Sequence, residues 1–211
     1  MHKMEGNTKD LVYSRNVIEF ATVAKEFCAF IENIENLKRK AFVTASSKFL
    51  PLLYYKASLL PSTEPFYEEG VQKHVSEDDY ETLRLKLKAF LGEHDEFPEA
   101  FDIRILETDD QFNATISEYL SDVYQDLKNF TLIYQQGQIE EMNDAIWECR
   151  LNFEEYWGIR LANCIRAMHI LCYGKIDIDE DADREAKSDI KQPDTSKWFI
   201  AQRQKDTENE F

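Results

Sequence analysis

Glycine and proline are scarce in this chain, at six and five among 211 residues. A sandwich or barrel of short strands needs a turn every ten residues or so, and so few breakers do not supply them. Long helices remain. No C-x-x-C pair occurs either: Cys28, Cys149, Cys164 and Cys172 stand apart, each on an apolar helical face. They read as small buried hydrophobes in a reducing compartment, not as a disulfide frame or a zinc site. No run of about 18 apolar residues is present to span a bilayer, and the opening MHKMEGNTKD lacks the positive-then-apolar layout of a signal peptide. A cytoplasmic protein is the expectation. Positive charge is short as well, with 25 Lys and Arg against 41 Asp and Glu and a net charge of -16. Affinity for a phosphate backbone comes from Lys and Arg, so nucleic acid and anionic membrane surfaces are not expected partners. Absent too are a P-loop, G-x-G-x-x-G, G-x-S-x-G and H-E-x-x-H, which removes phosphate-cradling and nucleophile-elbow chemistries.

What is present is apolar periodicity, with 43% hydrophobic and 13% aromatic residues to build a core. Val17, Phe20, Ala24, Phe27, Ile31 and Ile34 recur at steps of three and four and predict a helix over about 10–36. A second begins near Arg39, with Phe42, Ala45, Phe49, Leu52, Leu53 and Leu60 inward and a kink or break expected at Pro51. The stretch 61–75, with Pro61, Pro65 and Gly70, reads as a loop. Ser76 with Asp79 approximates a capping box before a helix that carries Tyr80, Leu83, Leu87, Phe90 and Leu91, and Gly92 ends it. Between 93 and 109 the pattern suggests a short helix over about 98–103 and a loop. Two long helices follow, over about 110–136 and 139–173, turning at Gly137. After Gly174 the chain is polar and acidic, and 175–211 reads as a flexible tail whose KWFIAQRQ segment is suited to docking or partner binding.

The chemistry-bearing stretch is ISEYLSDVYQDLKNF, residues 116–130. Glu118, Asp122 and Asp126 recur every fourth residue, and each step drifts by about 40° around the helix axis, so the row winds toward the buried side. Glu118 is expected in water and Asp126 at the core's margin, where an acid needs a partner. With Gly137 as the corner of an antiparallel pair, Asp126 comes level with Glu148 and Asp122 with Asn152, and Arg150 falls between those levels on the apolar side. One reading is therefore a structural charge cluster in which Arg150 sits among Asp122, Asp126 and Glu154. A second is a metal site. Glu93 with Glu96 and Glu141 with Asp144 have the spacing of carboxylate Mg²⁺ sites, and His74, the pair His94–Asp95 and then Asp122 or Asp126 follow the ligand order of helical metal-dependent phosphohydrolases. Against that, His94 and Asp95 can equally cap a helix end. His169 reads as a packed histidine, and Gly158 beside Trp157 as a close approach of a neighbouring helix.

LGEHDEF at 91–97, ISEYLSDVYQDLKNF at 116–130 and NFEEYWGIRLANCIRAMH at 152–169 together resemble an all-helical bacterial family, domain of unknown function 5063, over residues 11–173. The resemblance implies a helical domain without an assigned activity. It groups His94, Asp95, Glu118, Asp122, Asp126, Trp157, Gly158 and His169 as polar or special positions that belong together, and it transfers no catalytic residue or cofactor.

The expected molecule is all-α: a roughly five-helix antiparallel bundle over 10–174 with an acidic tail over 175–211. The expected role is a non-enzymatic interaction or regulatory module with a protein partner and no cofactor. The alternative is a metal-dependent phosphohydrolase, its metal held by His94, Asp95, Asp122 and Asp126.

Overall fold

The computed structural model describes residues 8–67, 70–98 and 113–178, and they fold as an all-α bundle. Helical backbone over 8–12 precedes a turn at Tyr13 and Ser14. Helix α1, Arg15–Glu32, then buries Val17, Phe20, Ala24, Phe27 and Ile31, the residues its periodicity marked, and a 3₁₀ turn at Ile34–Asn36 buries Ile34. Helix α2, Arg39–Ser58, runs through Pro51 without ending, with Pro51 itself exposed. Leu53 holds the inward slot, so Leu52, about 100° round the axis, points outward and is exposed, contrary to its expected burial. Helix α3, Glu77–Leu91, starts on a complete capping box of Ser76 and Asp79 and stops at Gly92, whose φ of 60° suits glycine.

Beyond α3, Pro98 stands in a strand and not at the start of the expected short helix. A 3₁₀ turn at Gly92–His94 leads into strand β1, Glu96–Pro98, which pairs antiparallel with β2, Asn113–Thr115, in the register Phe97 to Ala114. Pro98 tolerates this because a two-stranded ribbon leaves one edge without partners. The remainder of the expected 98–103 helix lies outside the described residues, as does the tail from 179 onward. Within the described start of the tail, residues 175–177 are exposed, while Ile178 is buried and its carbonyl accepts a 3.1 Å bond from Arg39.

Helix α4, Ile116–Gln136, opens with Thr115 as N-cap and closes at the left-handed Gly137. It is the hub, touching α1 and α3 as well as the two segments that follow it, α5 at Ile139–Asn152 and α6 at Gly158–Tyr173. Helix α2 packs along α6. Rings join the layers, with Phe20 on Phe130 at 5.0 Å, Phe30 on Phe42 at 5.1 Å and Phe42 edge-on to Phe90 at 5.4 Å.

Helices α5 and α6 form one rod interrupted by a π turn at Phe153–Trp157, where Gly158 N–H donates to the Phe153 carbonyl five residues back. Gly158 does mark a close approach, but to Phe153 in the preceding turn of its own rod and not to a neighbouring helix. A β-carbon there would lie 2.3 Å from the Phe153 carbonyl oxygen and 3.0 Å from its ring. Trp157 is fully buried, stacks edge-on to Phe153 at 4.8 Å and donates to the Cys149 carbonyl.

Gly158→Ala is expected to cost about 1–3 kcal/mol in urea denaturation, the range for forcing an extra group into a packed site. Gly137→Ala, where the added carbon meets nothing within 4 Å, should cost about 1 kcal/mol from its left-handed backbone alone.

Candidate functional site

A helix enclosed on several sides must bury part of its polar face. On α4 that face includes Ser117, Ser121, Asp122, Asn129 and Thr131. Each needs a partner, because an unmatched buried polar group costs about 1–3 kcal/mol. The acid row of α4 is where that requirement is strictest.

Glu118 is exposed, as its position on the wheel demands. Asp122 is the deepest of the three, its side chain only 6% exposed. Its Oδ1 accepts from the Tyr80 hydroxyl at 2.9 Å, and its Oδ2 lies 2.7 Å from Nε of Arg160. The Arg160 guanidinium lies 3.7 Å above the centre of the Tyr156 ring and 5.6 Å from that of Tyr119, and its Nη1 donates to the Tyr156 carbonyl. Burial and the Asp122 carboxylate push the phenols of Tyr80 and Tyr156 up, so both stay protonated. Asp126 is half-buried and accepts from Asn152 Nδ2 at 2.6 Å. Burial raises its pKa, the Asn152 hydrogen bond and Lys73 oppose, and Asp122 adds a small repulsion.

The guanidinium of this cluster is therefore Arg160, not Arg150. Arg150 instead pairs with Glu154 one turn on, at 2.9 Å on the surface. The expected level of Asp126 with Glu148 holds, since both line a void of about 10 Å³. The expected level of Asp122 with Asn152 does not hold, since Asn152 bonds Asp126 instead. The π turn adds a residue to the rod after Asn152, and the guanidinium that meets Asp122 lies beyond that turn, at Arg160.

The set His94, Asp95, Asp122 and Asp126 does not assemble as metal ligands. Asp95 is 1% exposed and belongs to the start of α4: Oδ1 accepts from Ser117 N–H and Oδ2 from the Ser117 hydroxyl, both at 2.7 Å, while its own carbonyl accepts from Ile116 N–H. A carboxylate suits that end because the helix dipole is positive there. His94 is half-buried with Nε2 3.8 Å from Glu93. Among the described residues no group of three or more His, Cys, Asp or Glu is placed to hold an ion. His169 is exposed, its ring tilted on Tyr173 at 4.9 Å, and is not a packed histidine.

A second polar system escaped the sequence reading. The described residues of 61–75 form no regular structure, so their backbone N–H groups need other acceptors. Asp144, 1% exposed, accepts from Phe66 N–H at 2.7 Å and Tyr67 N–H at 2.8 Å. Asn143 accepts from the Thr63 hydroxyl and donates to the Glu64 carbonyl. Asn129 accepts from His74 and Val75 N–H, and Glu148 from Val71 N–H and Lys73. Asp144, half of a suspected Mg²⁺ motif, is a loop anchor. The available signal was a long loop followed by Asn and Asp on otherwise apolar helix faces.

Asp126 supplies a pH test. A carboxyl whose folded pKa exceeds its unfolded value binds its proton more tightly when folded, so stability falls as pH rises through the interval between the two values. Asp126→Asn, which keeps an acceptor for Asn152, is expected to raise the melting temperature at pH 7. The gain should vanish once the pH lies below the ordinary carboxylate range, as read by thermal melts at stepped pH.

Among known proteins, residues 11–174 match the model of the family described as Domain of unknown function (DUF5063). No curated protein matches the chain. A solved structure similar to it is the crystal structure of protein BF1032 from Bacteroides fragilis, a structural genomics target. The two are 42% identical with a TM-score of 0.70, over 79% of this chain and 98% of that one. With the family match spanning the helical domain from Leu11 to Gly174, the chain belongs to the DUF5063 family.

Proposed function

We propose that this domain is a non-enzymatic interaction module of the cytoplasm that offers part of its surface to a protein partner. One observation carries the reading: the buried acids are already matched by protein groups. Asp122 faces a guanidinium and a phenol, Asp95 a helix start, Asp126 an amide and Asp144 two backbone N–H groups. A metal-dependent hydrolase needs the reverse, carboxylates and imidazoles turned toward one point with room for an activated water. A bound cation would have to compete with Arg160 for Asp122. Four unbridged cysteines fit a reducing compartment, and no helix among the described residues is long and apolar enough to cross a membrane.

Thermal melts in Mg²⁺, Mn²⁺ and Zn²⁺ test the reading. Melting temperatures are expected to match an ionic-strength control, and Asp122→Asn to lower them equally with and without metal. A metal-specific rise that Asp122→Asn abolishes would replace the interaction module by a metalloenzyme.

A further inference from the structure

The void of about 10 Å³ lies where Val71 meets α4 and α5, with Asp126 and Asn129 of α4 and Ala145 and Glu148 of α5 among its walls. A single water needs about 10–15 Å³ and two to four polar partners. Volume alone does not choose water, since an apolar void of this size stays dry. The three polar walls decide. Asn129 is 4% exposed, and its Oδ1 accepts from the N–H groups of His74 and Val75, neither of which lines the void. The group left to face it is Nδ2, which has no acceptor among the described residues. Asp126 Oδ1 takes the Asn152 amide, and its Oδ2 has no hydrogen-bond donor among the described residues. Glu148 accepts from Val71 N–H on one oxygen and from Lys73 on the other, so each oxygen keeps a further lone pair. Neither Asn129 Nδ2 nor Asp126 Oδ2 is sealed off by protein atoms, so a water can reach both.

This set of groups fixes the occupant. A cation meets the N–H₂ edge of Asn129, which repels it, and Lys73 already offsets the charge of Glu148. An anion meets two carboxylates. Only a ligand of one heavy atom that both accepts and donates suits all three walls. We propose that the void is the site of a single bound water, which accepts from Asn129 Nδ2 and donates to Asp126 Oδ2 and Glu148. The water completes the hydrogen bonding of Asp126, whose one protein donor among the described residues is the Asn152 amide. It also joins α4 to the stretch of α5 that anchors Val71 and Lys73. The site stands whether or not the domain is an interaction module.

A crystal structure of the full chain, at a resolution that orders first-shell solvent, tests the site directly. One peak is expected in the void, about 2.7–3.2 Å from both Asn129 Nδ2 and Asp126 Oδ2. An empty void overturns the proposal. So does a peak that rests on the two carboxylates with the Asn129 amide turned away, the pattern of a cation. Ala145, 2% exposed and part of the wall, supplies the test in solution. Ala145→Val and Ala145→Thr add groups of one shape and both displace the water, but only the threonine hydroxyl can take over its hydrogen bonds. The steric cost is common to the two and cancels in the comparison. At one urea concentration the ratio of folded to unfolded protein should be about tenfold higher for Ala145→Thr than for Ala145→Val, as unmatched polar groups in the wall require. A dry void gives the opposite order, because the hydroxyl is then the group without a partner. Ala145→Val equal to or more stable than Ala145→Thr therefore overturns the proposal.

Discussion

Asp122 sits on a helix that α1, α3, α5 and α6 all touch, and a carboxylate in such a place is tolerated only where a cation or hydrogen-bond donors meet it at close range. Arg160 does so at 2.7 Å, itself laid over the Tyr156 ring, with the Tyr80 hydroxyl closing the other side. The pair joins α3, α4 and α6 at one point. The α5–α6 rod reaches Arg160 through the π turn at Phe153–Trp157; Gly158, which closes that turn, has no room for a β-carbon beside the Phe153 carbonyl, and Trp157 is fully buried there.

The same principle governs the rest of the polar interior. Asp95, remote in sequence from α4, serves as its N-terminal acceptor through Ser117, and so ties the β1 ribbon to the hub helix. Asp144, Asn143, Asn129 and Glu148 replace the regular partners that the described residues of 61–75 lack. In both cases a buried acid satisfies backbone donors where no sheet or helix provides acceptors. These acids tie the domain's irregular segments to its helices, which is how a chain of strong negative charge matches the buried carboxylates Asp95, Asp122 and Asp144 with its own donors. Of the positions the resemblance groups, Asp95, Asp122, Trp157 and Gly158 each have a structural task.

The sequence made the helices legible because three-four periodicity survives any detail of tertiary packing. Val17 to Ile34, Leu83 to Leu91 and Met142 to Leu171 turn inward as their spacing requires, and the Ser76 capping box and Gly137 turn stand where local chemistry puts them. The acid row was legible as far as Glu118 in water and Asp126 beside Glu148. Arg160 was not, because a turn at Gly137 brings Asp122 level with Asn152, and Arg160 lies about two helical turns past that level. The β1–β2 ribbon was missed because three-residue strands leave too little pattern to read. The loop anchors were missed because their acceptors and donors lie some 55 to 80 positions apart in the chain, beyond the reach of local spacing. Leu52 was misplaced because two adjacent leucines share one helix turn and only Leu53 can occupy the inward slot.

Two double-mutant cycles measure the central claim most directly, pairing Asp122→Ala with Arg160→Ala and then with Arg150→Ala in urea denaturation. The account predicts a coupling of about 0.5–3 kcal/mol for Asp122 with Arg160, the range for side chains in contact, and additivity within about 0.5 kcal/mol for Asp122 with Arg150. Additivity in the first cycle, or coupling only in the second, would contradict it.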